Sequence, residues 1–152
     1  MSFTKGTLYY ILVLFLLLSG CNSTSDTVNI ITHETGYKFT DEEIAIGLES
    51  EEIHLKPQGE FIVPDLNEIT SSKYELLDSV LYIYIFEDNE HLKKGLTEVK
   101  EVFESRANLY FYELNNALVI YHVHPSTPLE LEKETNKELQ NRIKELIESI
   151  SS

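Results

Sequence analysis

The chain has 152 residues, of which 12 are lysine or arginine and 26 aspartate or glutamate, for a formal net charge of −14. That length supports one hydrophobic core, and the single cysteine excludes an intramolecular disulfide framework. A field this acidic repels phosphate backbones, which argues against nucleic acid as a partner.

In chain order the first element is a targeting segment. Lys5 lies in a short start, residues 8–18 are apolar without interruption, and Ser19 and Gly20 are small; this is the order of a secretory signal. Eleven apolar residues fall well short of the roughly twenty that a transmembrane helix needs. Leu18-Ser19-Gly20-Cys21 resembles the lipobox of bacterial lipoproteins. The resemblance implies cleavage before Cys21, a diacylglycerol on its sulfur through a thioether, and residence on the outer face of the cell membrane. The other readings of Cys21 are a free thiol at the end of an uncleaved anchor and an intermolecular disulfide. Two acyl chains bury methylenes at about 0.8 kcal/mol each, enough for stable anchoring. Removal of residues 1–20 leaves 132 residues with 11 basic and 26 acidic side chains, a net charge of −15. No cofactor is expected beyond the covalent diacylglycerol.

Three regions follow: a signal peptide over 1–20, a flexible tether over 21–39 and a single α+β domain over 40–152. The tether is rich in Ser, Thr and Asn and has no sustained period, although its Val28-Asn29-Ile30-Ile31 run could dock as an edge strand. Thr40-Asp41-Glu42-Glu43 is a capping box that opens a short helix to about residue 50, with Ile44, Ala45 and Leu48 as its apolar stripe. Ile53, His54 and Leu55 suggest a brief strand, and residues 56–72, with two prolines, Gly59 and Asn67, read as irregular.

The second half is more regular. Strands are predicted over 74–77 and 80–86 about an Asp78-Ser79 turn, then a helix over 90–104 capped by Asp88 or Asn89 and carrying Leu92, Leu96, Val99 and Phe103. Strands over 109–114 and 117–123 flank Asn115-Asn116, because asparagine tolerates the left-handed conformation a two-residue turn demands. Thr127-Pro128-Leu129-Glu130 is a second capping box, opening a helix to about residue 150 with Leu139, Ile143, Leu146, Ile147 and Ile150 as its packing stripe. The order β-β-α-β-β-α predicts a mainly antiparallel sheet with both long helices on one face. That arrangement resembles the ferredoxin-like split βαβ unit without its final strand.

Alternation along a strand sends Leu81, Ile83 and Ile85 to one face and Tyr82, Tyr84 and Phe86 to the other. With Phe111, Leu118 and Ile120 placed on the aliphatic side beneath the helices, the opposite face displays Tyr82, Tyr84, Phe86, Tyr110, Tyr112 and Tyr121. Such a platform suits a peptide or a glycan ring. The plainer reading is that residues 41–72 fold across it, or that tyrosine merely favours strands. Aromatic strands also occur in RNA-recognition folds, which the charge and the compartment exclude.

His122 and His124, two apart on a strand, share a face and could begin a metal site. A third ligand would have to come from His91, Glu113 or His54, and no spacing selects one. There is no nucleophile elbow, no HExxH helix and no phosphate-cradling glycine loop, and the acidic runs read as solvated faces. In the lipobox, the acidic body and the strand YIYIFE leading into EHLKKGLTEV, the chain is similar to the small single-domain lipoproteins of Bacillus-type bacteria. The resemblance assigns no site residues. The leading functional expectation is a non-enzymatic, lipid-anchored domain that binds an envelope protein, a peptide or a glycan. The alternatives are a metal- or small-ligand-binding accessory lipoprotein and, behind it, a cell-envelope enzyme.

Overall fold

The computed structural model describes residues 27–28, 36–62, 69–103 and 108–150. The signal peptide, Cys21 and most of the expected tether lie outside the described residues. The elements are β1 (Thr27–Val28), α1 (Asp41–Leu48), β2 (Lys56–Ile62), β3 (Thr70–Leu76), β4 (Ser79–Ile85), α2 (Asn89–Phe103), β5 (Leu109–Leu114), β6 (Ala117–His122) and α3 (Leu129–Ile150). The class is α+β and the order β-β-α-β-β-α holds from β3 to α3. The strands form one sheet in the order β1-β5-β6-β4-β3-β2. Every pairing is antiparallel except that of β1, which adds to β5 in parallel, Thr27 opposite Phe111 and Val28 opposite Tyr112.

Local chemistry sets the helix starts. The Thr40 hydroxyl accepts from the Glu43 amide at 3.2 Å while the Thr40 amide donates to the Glu43 carboxylate at 2.9 Å, so the predicted capping box forms and opens α1. At α2 the Asp88 carboxylate accepts from the His91 amide at 2.9 Å, satisfying one of the orphan donors of the first turn. The second predicted box does not form: α3 begins at Leu129, and the Thr127 hydroxyl lies 3.4 Å from that of Ser79 instead.

The described parts of the stretch expected to be irregular over 56–72 are strand at 56–62 and from residue 70 onward, which corrects that expectation there. β2 is the outermost strand and pairs only with β3, so Pro57 can sit in it without its missing N–H breaking an internal ladder. The register shifts between Pro57 and Glu60, where Gly59 adopts φ +88°, as a bulge requires. The β3–β4 turn falls on Leu77 and Asp78, one residue before the predicted position.

The long helices occupy opposite faces of the sheet, which corrects the one-face expectation and the ferredoxin-like likeness that followed from it. Leu92 and Val99 of α2 pack with Tyr82, Tyr84, Phe86, Phe111, Leu118 and Ile120. Leu139 and Ile143 of α3 pack with Ile44 and Leu48 of α1 and with Leu81, Ile83, Tyr112, Val119 and Tyr121. The crossover rule constrains α2, which joins the parallel strands β4 and β5; among the described residues α3 joins no pair of parallel strands, so the rule does not place it. What places α3 is a sheet apolar on both sides: residues 117–121 of β6 are all buried, and each buried face needs a covering layer.

Two glycines set how closely these layers approach. A Cβ at Gly95 of α2 would lie 2.2 Å from the ring of the buried Phe86, whereas one at Gly47 of α1 would meet the tip of Leu146 at 2.8 Å. Alanine favours a helix over glycine by roughly 1 kcal/mol, but overpacking against a ring that cannot move aside costs about 1–3 kcal/mol or more. Gly95→Ala is therefore expected to lower the melting temperature, while Gly47→Ala, which meets only the flexible end of the Leu146 side chain, is expected to stay near wild type. A melt in which Gly95→Ala matches or exceeds Gly47→Ala would show that close approach is not what Gly95 provides.

Candidate functional site

The expected aromatic platform does not exist as an exposed surface. In the β4–β6 pairing Ile83 lies opposite Val119 and Tyr84 opposite Leu118, and directly opposed residues share a face. This is one residue away from the phase that would align all six aromatics, and a one-residue shift exchanges the faces. Tyr82, Tyr84 and Phe86 are buried beneath α2, whereas Tyr112 and Tyr121, with the half-buried Tyr110, lie beneath α3.

On the α3 side the tyrosines fasten the helix to the sheet. The Tyr110 hydroxyl donates to Glu132 at 2.6 Å, the Tyr112 hydroxyl donates to the Asn136 side-chain carbonyl, and the Tyr110 and Tyr121 rings stack at 6.0 Å. Burial pushes the Tyr112 hydroxyl well above the ordinary tyrosine range and raises that of Tyr121. Among the described residues the Tyr121 hydroxyl has no hydrogen-bond partner in good geometry, although those of Ser79 and Thr135 lie close enough to temper its shift.

Of the two candidate histidines, His122 ends β6 and His124 lies two residues beyond it. His122 is half-buried, opposite Val80 on one side and Leu109 on the other. His124 is exposed, and its Nδ1 lies 2.7 Å from the Ser126 hydroxyl and accepts from the Ser126 amide. Of the third-ligand candidates, His91 is engaged by Asp88 at the start of α2, Glu113 is on β5 and His54 precedes β2. Among the described residues no three His, Cys, Asp or Glu side chains come together to hold a metal ion.

Among the described residues, a groove of about 520 Å³ lies between α3 and the β3–β4 turn. This volume lies within the roughly 300–1,000 Å³ of ligand sites. Its apolar lining comes from Ile53, which is fully buried, and from Leu77 and Leu131, which are 48% and 38% exposed. The buried Thr135 adds a hydroxyl, and Glu52, Glu134 and Glu138 face a single cation, Lys137. Among the described residues none of these four charged side chains is in an ion pair. Leu77 holds φ +55°, a left-handed conformation that costs an L residue about 1–2 kcal/mol, and it presents its side chain to this groove.

Sequence reasoning missed the groove, yet it left a trace. Leu129 and Leu131 fall off the packing stripe of α3 and are exposed, and Leu77 is a leucine within a turn. No known protein family, curated protein or solved structure matches the chain, so the use of the groove rests on its own chemistry.

Proposed function

We propose that this protein is a non-enzymatic lipoprotein, anchored to the outer face of the cell membrane through a diacylglycerol on Cys21, whose small acidic domain binds a partner through the groove beside α3. The observation that carries the reading is the groove itself: exposed leucines next to unneutralised carboxylates, in a concavity of ligand size. Low-dielectric concave walls focus the field of such charges toward a cationic partner. The buried Tyr112 and Tyr121 are assigned to holding α3 on the sheet, and the buried Tyr82 and Tyr84 to packing beneath α2.

The β1 pairing bears on how the domain stands relative to its anchor. With Thr27 fixed to β5, only residues 22–26 separate Cys21 from the sheet, and a fully extended chain of that length reaches about 20 Å. The β5 edge is then confined close to the lipid headgroups, rather than ranging on the longer tether expected over 21–39. The described residues contain no helix long and apolar enough to cross a membrane.

Mass spectrometry of the protein extracted from its native membrane tests the anchor. The expected product begins at Cys21 and carries the diacylglycerol mass, while Cys21→Ser is expected to retain residues 1–20 and remain unmodified. A native product with a free thiol, or one still beginning at Met1, overturns the reading.

A further inference from the structure

We infer that the groove beside α3 receives a short basic peptide segment bearing leucine-sized apolar side chains. This rests on the reading of the groove as the contact surface and names its occupant. Three observations select that chemistry. The carboxylates of Glu134 and Glu138 outnumber Lys137 and, among the described residues, are not neutralised by ion pairs, so the charge complement is cationic. The same concavity is walled by Leu77 and Leu131, both exposed, and water-exposed apolar area is covered more favourably by an apolar side chain than by a hydrated ion or a polyamine. Finally, the whole chain carries a net charge of −14, a field that draws basic ligands in and turns acidic ones away.

The two components separate experimentally. Attraction by exposed carboxylates is screened over about 8 Å at physiological ionic strength, whereas the apolar contact is not weakened by moderate salt. A basic peptide with leucines therefore binds measurably at physiological salt, and one without them does not hold.

The test uses the full lipidated protein in nanodiscs of zwitterionic phosphatidylcholine, which does not itself attract a cationic peptide. It is titrated with a fluorescent Lys-Leu-Arg-Leu-Lys peptide and with the same peptide bearing serine for both leucines. The leucine peptide is expected to bind in the micromolar range and the serine peptide at least tenfold more weakly. Glu134→Gln with Glu138→Gln is expected to weaken the leucine peptide at least tenfold. Leu77→Gly is expected to weaken it severalfold while leaving the fold intact, because glycine accepts φ +55° without strain. Glu148→Gln, on the same helix and paired with Lys144, is expected to change nothing. Equal binding of the two peptides, unchanged affinity in the groove variants, or no binding at all overturns the inference. Failure of the peptide titration with acylation intact removes the groove's occupant alone, whereas an unacylated Cys21 removes the anchor whatever the titration shows.

Discussion

Asn116→Ala is expected to be the most damaging single substitution in this domain, at roughly 3–5 kcal/mol. Asn116 is buried in the β5–β6 turn, and its amide ties three segments together. Its Oδ1 accepts from the Phe39 amide at 2.7 Å, and its Nδ2 donates to the Phe39 and Phe86 carbonyls at 3.1 and 3.2 Å. Alanine leaves one backbone donor and two acceptors without these partners, at about 1–3 kcal/mol for each group stranded away from water. It also frees Phe39, itself a core residue. Against a typical stability of about 5–15 kcal/mol, the expected fall in melting temperature is roughly 10–20 °C. Asn115, whose amide donates to the Tyr37 carbonyl at the exposed end of the same segment, is the comparison: Asn115→Ala is expected to lose much less. Equal losses in the two variants would show that the Asn116 amide is not the staple.

The second large effect is alkaline destabilisation. Burial raises the hydroxyl pKa of Tyr112 and Tyr121 above the ordinary 10.0, and both side chains are fully buried. Above pH 10 the unfolded chain releases these protons and the folded protein keeps them. Their contribution is therefore complete below the unfolded pKa of 10.0 and declines as pH rises from there toward the folded values. The limiting slope is about 1.4 kcal/mol per pH unit for Tyr112, and Tyr121 adds to it in the same direction. Tyr74, raised chiefly by burial, acts in the same direction. Urea unfolding measured on either side of pH 10, with tyrosinate absorbance followed in parallel, should show that decline. Tyr112→Phe should reduce the slope by about 1.4 kcal/mol per unit, and an unchanged slope would remove Tyr112 from the account.

The two asparagines show how a correct local prediction can carry the wrong reason. Asn115-Asn116 marks the β5–β6 turn in the sequence through asparagine's tolerance of left-handed backbone, yet neither residue has a positive φ, whereas Leu77 in the other hairpin does. Asn116 is needed for its side chain, which reaches a residue 77 positions away. The same bond draws Phe39, the last residue of the expected tether, into the core, and β1 places Thr27 and Val28 on the sheet edge, where the edge-strand alternative put Val28.

What the sequence determined by itself was local. Helical spacing located α1, α2 and α3, with capping residues marking the starts of α1 and α2, and alternation about short turns located β4, β5 and β6, because these signals act within one or two turns of chain. The order of a charged start, a short apolar run, small residues and Cys21 was equally legible as a linear motif. Tertiary structure alone decided how the two hairpins are phased, and with that which residues lie on each face. The phase is set by β4 meeting β6, Ile83 against Val119, and both phases bury comparably apolar side chains, so no residue pattern within either hairpin distinguishes them. That single register turned the six aromatics from a presumed display into the packing of two separate cores. The groove likewise exists only because α3 crosses beside the Leu77 turn, a juxtaposition of residues more than fifty positions apart that no spacing rule encodes.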